Sequence, residues 1–145
     1  MATTGTNPAR TDPKATVAEI YAAFGRGDIP AILDALAEDV AWEHWPASTV
    51  HEAAVPWLLP RTGKAGAQEF FQLVSSWTIS DFQVLDLMVG ERQVSAQIVI
   101  EALLPNGVTL RDEEMHLWTF DETGKVSRFR YYVDTAKHAA AAQAG

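Results

Sequence analysis

Apolar residues in the first third of the chain recur every three or four positions, which is the spacing of an amphipathic helix. A first predicted helix follows Asp12-Pro13, an N-cap and a proline at the first helical position. Its apolar stripe comprises Val17, Ile20, Tyr21 and Phe24. A second helix is capped by Asp28, and its predicted buried face comprises Ile29, Ile32, Leu33 and Leu36. A third opens at Gly63, with the stripe Ala67, Phe70, Val74 and Trp77.

The second half of the chain changes to alternating and β-branched patterns, which predict strands. Four strands are expected at residues 82–89, 93–104, 108–120 and 125–133. The turn Pro105-Asn106-Gly107 is a strong hairpin signal between two of them. An earlier strand is expected at residues 40–45. The irregular stretch 47–63 is predicted to be a long loop that acts as either a lid or a rim.

Helices followed by an antiparallel meander predict the α+β class. We expect a cone-shaped α+β barrel, in which three N-terminal helices pack in a strongly curved, mainly antiparallel sheet. One domain is predicted over residues 12–138, with a disordered N-terminal tail at 1–11 and an alanine-rich C-terminal tail at 139–145. A short frayed helix is expected within residues 135–144.

The strand at residues 108–120 carries the most informative alternation in the chain. Glu114, His116, Trp118 and Phe120 share one face, and Glu113, Met115, Leu117 and Thr119 share the other. A carboxylate, an imidazole and two large aromatic rings on one face suit the wall of a pocket better than a dry core. The pattern therefore predicts a cavity for a small molecule, without naming the ligand.

Composition excludes several other functions. The chain has 145 residues, no cysteine and a net charge of -8, so thiolate chemistry is absent and a phosphate backbone or an anionic membrane surface is an unfavourable partner. No apolar run resembles a signal peptide or a membrane span. We expect a soluble, cytoplasmic protein that binds neither nucleic acid nor membrane.

His44 and His116 are the main candidates for acid–base chemistry, because an imidazole can take and give protons near neutral pH. Glu114 lies two residues before His116 on the same face, where it would orient the imidazole or act itself. Asp112 and Glu113 are expected to face solvent. Asp134 is a further catalytic candidate, but local ion pairing with Arg130 and Lys137 is the favoured interpretation of it.

Four aromatic residues are candidates for stacking against an apolar or aromatic ligand. They are Tyr21, Trp42, Trp57 and Trp118. The four histidines lack the short spacing of common metal motifs, so we expect neither a metal site nor a cofactor. The inward face of the final strand is left open, since Tyr131 and Tyr132 point to opposite sides.

The ordered set of elements resembles the nuclear-transport-factor-2-like superfamily, and within it the SnoaL-like polyketide cyclases and proteins related to ketosteroid isomerase. The resemblance spans about residues 13–138 and rests on YAAFGRGD (21–28), LAEDVAW (36–42), GKAG (63–66) with EFF (69–71), and WTFDETGKV (118–126). It implies the cone-shaped fold and a homodimer. The fold hosts isomerases, cyclases, epoxide hydrolases and non-enzymatic binders, so it does not specify an activity.

The resemblance also assigns positions. The general base of the isomerases corresponds to His44, and the acid of their oxyanion hole corresponds to His116. Their helix tyrosine falls at Ile20, with Tyr21 one position away. The aspartate acid–base of the polyketide cyclases has a candidate counterpart in Asp134.

Three functions remain open at this point. The first is cofactor-free proton transfer of the isomerase or cyclase type on an apolar carbonyl or polyketide-like compound, with His44 as base and His116 as oxyanion donor. The second is a non-catalytic module for ligand binding or dimerisation. The third is epoxide hydrolysis, which needs two carboxylates and an arginine around one water, with Arg111-Asp112 and Arg130 with Asp134 as candidates.

Overall fold

The computed structural model describes residues 12–44 and 55–143. Its helices are α1 (Pro13–Gly25), α2 (Ile29–Asp34), α3 (Gly63–Val74) and α4 (Thr135–Gln143), with a 3-10 turn at Pro56–Leu58. The predicted caps are present. Asp12 accepts a hydrogen bond from the Lys14 amide at 3.1 Å and Asp28 accepts one from the Ala31 amide at 3.2 Å, which satisfies free donors at both helix starts.

Two residues assigned to helical stripes belong elsewhere. Leu36 is buried, but it opens the first strand, because α2 ends at Asp34 after only six residues. Trp77 lies beyond the end of α3 at Val74, in the turn that leads into the next strand. Both predictions of helical structure were wrong, since the apolar spacing continued past the point where the chain left the helix.

Six strands in the described residues form one mixed sheet. They are β1 (Leu36–His44), β2 (Arg61–Thr62), β3 (Thr78–Val89), β4 (Gln93–Leu103), β5 (Thr109–Phe120) and β6 (Val126–Tyr132). Their order is β2-β1-β6-β5-β4-β3. The predicted meander β3 to β6 is confirmed as antiparallel. The strand expected at residues 40–45 begins four residues earlier and pairs in parallel with β6, which the sequence pattern did not reveal.

The sheet curls around the helices without closing, so the predicted α+β cone is confirmed. Register shifts interrupt the β3–β4 pairing at two places and the β5–β6 pairing at one, and such bulges bend a sheet locally. On β4 every second side chain is buried, from Val94 to Ala102. This alternation places the core on the concave face, between the sheet and the helices.

The C-terminal helix α4 packs onto the cone. Its His138 and Ala141 are buried. Asn106 Nδ2 donates to the carbonyl of Ala141 at 2.8 Å, and Lys137 Nζ donates to the carbonyl of Arg111 at 2.8 Å. The predicted boundary between domain and tail at residue 138 lies inside this helix.

Part of the predicted loop at residues 47–63 is ordered by one side chain. Arg61 Nη1 donates to the carbonyls of Pro56 and Leu59 at 3.0 and 3.1 Å, which holds the 3-10 turn against the end of β1. The tail at 1–11 and the first part of the predicted lid, at 47–54, lie outside the described residues, as does position 45 at the end of the predicted strand. None of the helices in the described ranges has the length and apolar character needed to cross a membrane.

Candidate functional site

A cavity of about 90 Å³ lies between the helices and the concave face of the sheet. Its wall is mainly aromatic and includes the four predicted ligand contacts, Tyr21, Trp42, Trp57 and Trp118. Pockets for drug-sized ligands enclose roughly 300–1,000 Å³, and an apolar cavity of roughly 150 Å³ takes up benzene. The enclosed space is smaller than either, so it suits a ligand smaller than one benzene ring.

A wider groove of about 700 Å³ lies beside this cavity, between α1, the end of α3 and β3. Tyr21, Phe24, Trp77 and Phe82 line both spaces. The rings of Phe24 and Phe82 are 5.2 Å apart, and those of Tyr21 and Phe82 are 5.9 Å apart. These aromatic side chains form the boundary between the groove and the inner cavity.

An aromatic row supports the floor of the cavity. Trp42, Phe129 and Trp118 are register partners across β1, β6 and β5. The ring of Phe129 lies 4.4 Å from that of Trp42 and 4.1 Å from that of Trp118. Adjacent strands thus hold three large rings in contact, an arrangement that makes this wall rigid.

Three side chains at one end of the cavity form a chain of hydrogen bonds, here called the phenol relay: Tyr21, His116 and Glu114. The Tyr21 hydroxyl lies 2.6 Å from His116 Nδ1, and His116 Nε2 lies 3.0 Å from Glu114 Oε1. Trp118 Nε1 donates to the Tyr21 oxygen at 3.0 Å.

The direction of these bonds follows from the groups at both ends. Because an indole N–H can only donate, the Tyr21 oxygen accepts from Trp118. An ionised Glu114 can only accept, so His116 Nε2 donates to it, and Nδ1 of the neutral imidazole then accepts the Tyr21 proton. The arrangement of hydroxyl, imidazole and carboxylate is that of a catalytic triad with a phenol as the terminal group.

A second set of polar groups, the His138 cluster, comprises His138, Asp112 and Trp57. His138 Nε2 lies 2.7 Å from Asp112 Oδ2, and Trp57 Nε1 donates to His138 Nδ1 at 2.8 Å. His138 Nε2 is also 3.4 Å from Glu114 Oε2. Glu114 therefore faces one imidazole with each of its oxygens and joins the two sets.

Burial and hydrogen bonding act in opposite directions on Glu114. Burial raises its pKa, but the bonds to His116 and His138 prevail and lower the pKa from 4.5 to about 2. Burial raises the pKa of Tyr21 far above its ordinary value, against the lowering effect of the Trp118 hydrogen bond. The site thus combines an ionised carboxylate with a neutral phenol at neutral pH.

The pKa of His138 reflects a similar balance. Burial lowers it, whereas the carboxylates of Asp112 and Glu114 raise it and prevail. Trp57 opposes them, because a protonated Nδ1 would place two N–H donors face to face at 2.8 Å. The observed contact is that of the neutral imidazole, so protonation of His138 requires the Trp57 indole to move away.

Asp112, Glu114 and His138 also bring their ligand-type atoms within 4.8 Å of one another, a grouping that the spacing of the histidines did not predict. A metal ion on His138 Nε2 would require the proton to sit on Nδ1. That nitrogen already accepts the Trp57 N–H. The trio as arranged therefore fits a hydrogen-bonded cluster better than a metal site.

The two histidines predicted to share the chemistry do not meet. His44 and His116 are both register partners of Tyr131, on opposite sides of β6, which separates their backbones by about 10 Å at the usual strand spacing. His44 Nδ1 donates to the Tyr131 carbonyl at 2.6 Å. Among the described residues of the cavity wall, His116 is present and His44 is not.

Two acidic residues, Asp112 and Asp134, lie in surroundings that do not fit the roles considered for them. Asp112 was expected to face solvent, and that prediction was wrong: it is 5% exposed because it lies on the inner face of β5. Asp134 is exposed at the start of α4, where Oδ1 accepts from the Lys137 amide at 3.2 Å. It is not among the described residues of the wall.

The arginines considered for epoxide hydrolysis lie away from the cavity. Arg111 pairs with Asp81 and Glu101 on the exposed side of the sheet. Arg130 faces Glu43 at 3.8 Å. Of the described residues that form the cavity wall, none is an arginine, so these residues do not supply the arginine that this reaction needs.

The fold and the site together define an α+β cone protein with a small aromatic cavity and an internal network of acids and histidines. The sequence model of a protein family, the SnoaL-like domain, matches residues 17–129 of this chain. The chain belongs to this family, within the NTF2-like superfamily. No curated protein sequence matches the chain significantly.

Solved structures resemble the whole fold. An NTF2-like protein of unknown function from Burkholderia pseudomallei has a TM-score of 0.75 at 23% identity, covering 90% of this chain and 97% of that one. TerC, co-crystallized with polyporic acid, has a TM-score of 0.72 at 22% identity, covering 90% and 98%. The epoxide hydrolase/cyclase-like enzyme SalBIII, named for pyran ring formation in salinomycin, has a TM-score of 0.67 at 22% identity, covering 86% and 92%. At these identities the likeness shows the fold alone.

Proposed function

We propose that this protein catalyses cofactor-free proton transfer on a compact apolar carbonyl compound, with the phenol relay as its acid–base group. The observation that carries the proposal is the 2.6 Å contact between the Tyr21 hydroxyl and His116 Nδ1, backed by Glu114. It places an exchangeable proton at the wall of a cavity that is otherwise mainly aromatic.

In the proposed step, a C–H bond next to the substrate carbonyl breaks and its proton moves to the Tyr21 oxygen. The phenolic proton passes at the same time to His116 Nδ1, and the bonding electron pair shifts toward the carbonyl oxygen. Glu114 stabilises the resulting imidazolium. Return of the proton to a different substrate atom completes an isomerisation or initiates a cyclisation.

The raised pKa of Tyr21 supports a concerted transfer, because a free tyrosinate in this buried position is unfavourable. The Trp42 indole N–H supports a carbonyl ligand. It is buried without a hydrogen-bond partner in the described part of the chain and belongs to a residue of the cavity wall. A ligand oxygen would satisfy this donor.

The test is proton exchange at the carbon next to a ketone. Acetone, a ketone smaller than a benzene ring, is incubated with the protein in heavy water, and deuterium uptake is followed by NMR. The wild type should accelerate uptake, and Tyr21→Phe should lose about 100-fold or more of that acceleration. Tyr132→Phe is the matched control, because Tyr132 lies on the face of β6 that points away from the cavity. This variant should keep the wild-type rate of deuterium uptake. Equal rates for Tyr21→Phe and wild type would contradict the proposal.

A second candidate is a non-catalytic ligand-binding module. It is favoured by the internal bonding of the network, in which Tyr21, His116, Glu114 and His138 already satisfy one another. This alternative predicts that small apolar compounds bind, as seen by a change in tryptophan fluorescence, and that no ketone exchanges faster than in buffer.

The expected homodimer remains a prediction. Apolar side chains are exposed on the strands β3 to β5, including Leu85, Val89, Leu103 and Met115, and a second copy of the chain would cover them. Light scattering distinguishes a dimer from the 15.9 kDa monomer.

A further inference from the structure

We propose that His138 is a positioning residue of the phenol relay: inserted between the carboxylates of Asp112 and Glu114, it allows both to be ionised side by side. The inference rests on the proposed function for its catalytic meaning. Its physical content, the charge state of Glu114, is independent of any turnover.

The geometry supplies the first step. Asp112 and Glu114 are neighbours on the inner face of β5, and the exposed fractions of their side chains are only 4% and 10%. Their carboxylate oxygens lie within 4.8 Å of each other and repel. Among the described residues each acid has one donor besides His138, the Asp134 amide for Asp112 and His116 for Glu114. Without a further donor between the two acids, one of them keeps a proton. His138 Nε2 lies 2.7 Å from Asp112 Oδ2 and 3.4 Å from Glu114 Oε2.

The Trp57 indole determines which nitrogen of His138 carries the hydrogen. Trp57 Nε1 donates to His138 Nδ1 at 2.8 Å, which directs the imidazole proton to Nε2, toward the two carboxylates. The Tyr131 hydroxyl donates to the Trp57 carbonyl at 2.8 Å and holds this part of the chain. In either protonation state of His138, Nε2 carries a hydrogen that points at the acids.

The charge of Glu114 determines whether the phenol relay can work. His116 needs an ionised Glu114, because only the carboxylate stabilises the imidazolium formed during proton transfer. A protonated Glu114 would offer its own hydrogen to the site instead. The charged or titratable groups that face Glu114 are His116 and Asp112 on β5, His138 on α4, Tyr21 on α1 and Tyr131 on β6. Among these, His138 is the group placed between the acids.

The experiment follows the side-chain carboxyl of Glu114 by carbon NMR during a pH titration. In the wild type Glu114 should remain ionised throughout the folded range. In His138→Leu, Asp112 and Glu114 should share a proton, and the midpoint for Glu114 should rise by about two pH units. His138→Gln, which keeps an N–H donor, should restore much of the wild-type behaviour.

The decisive control is the double variant His138→Leu/Asp112→Asn. Removal of the second charge should return the Glu114 midpoint toward its wild-type position, although the helix contact is still missing. A purely structural role for His138 predicts no such rescue. Should His138→Leu unfold, His138→Met and His138→Met/Asp112→Asn, which also lack the N–H donor, are compared in the same way, with the same expected rise and rescue.

Two outcomes would overturn the inference: an unchanged Glu114 midpoint in folded His138→Leu, or a raised midpoint that persists in the double variant. Ketone exchange is measured on the same proteins. If Glu114 responds as described and no variant exchanges ketone, the positioning role stands and the proposed function fails. If ketone is exchanged and Glu114 does not respond, the positioning role alone fails.

Discussion

The two ends of the polar network contain the same chemical groups in different order. In the phenol relay, the Trp118 indole reaches His116 through the Tyr21 hydroxyl. In the His138 cluster, the Trp57 indole donates to the imidazole directly. At the first end, the Tyr21 hydroxyl can both accept and release a proton at the cavity wall. At the second end, His138 also belongs to the wall, but its Nδ1 is held by the Trp57 N–H and its Nε2 faces Asp112. The insertion of one phenol thus separates a site arranged for proton transfer from a site arranged to fix charge.

The largest expected effect is the difference in ketone exchange between substitutions of the two imidazoles, His116 and His138. His116→Gln removes the group that takes the phenolic proton, so acetone exchange should fall by about 100-fold or more. His138→Gln keeps a donor for Asp112 and should cost less than about tenfold. Exchange rates in heavy water measure both variants. Losses of equal size at the two positions would show that the two ends do not differ in the way described.

Acid stability gives the next effect. The pKa of Glu114 is lowered from 4.5 to about 2 in the folded protein, so its ionised form stabilises the fold above the ordinary pKa. This contribution is lost as the pH falls from 4.5 toward 2, and it amounts to at most about 3 kcal/mol.

Urea unfolding at neutral and acidic pH measures that loss. Glu114→Gln should make the unfolding free energy less dependent on pH in the acid range. Glu113→Gln is the matched control, because Glu113 is exposed on the other face of β5, and it should unfold with the pH dependence of the wild type. A steep acid dependence that survives in Glu114→Gln would place the sensitive group elsewhere.

The smallest effect sharpens the contrast between the two indoles. Trp118→Phe and Trp57→Phe each remove one buried donor, at a cost of about 1–3 kcal/mol. Since the Trp118 bond lowers the pKa of Tyr21, its removal should raise that pKa further. Loss of the Trp57 donor should raise the pKa of His138, because protonation of Nδ1 is no longer opposed. A histidine NMR titration of Trp57→Phe measures the shift of His138. In Trp118→Phe, tyrosine absorbance should show that Tyr21 stays neutral over the whole pH range in which the protein is folded.

Much of the fold was readable from local patterns. Asp12 and Asp28 marked two helix starts, and Pro105-Asn106-Gly107 marked a hairpin. These signals act within a few residues, so they survive without tertiary information. The parallel pairing of β1 with β6 did not follow from the sequence, because residues some ninety positions apart carry no local mark of their partnership.

The part of the site that lies on a single strand, β5, was predicted from the alternation of its residues. Alternation placed Glu114, His116 and Trp118 on one face, and the structure brings them to the cavity. The same alternation puts Asp112 on that face, but the charged run around it concealed this. His138 was missed because an alanine-rich helix gives no local chemical signal, and its role depends on Trp57 and Asp112, both far away in the chain.

The most direct test of the account is the tautomer of His116 at neutral pH, read from the side-chain nitrogen shifts in a nitrogen–proton NMR correlation. The account predicts a neutral ring with the hydrogen on Nε2 and a bare Nδ1 that accepts the Tyr21 proton. A hydrogen on Nδ1 would contradict it, because Tyr21 could then pass no proton to His116.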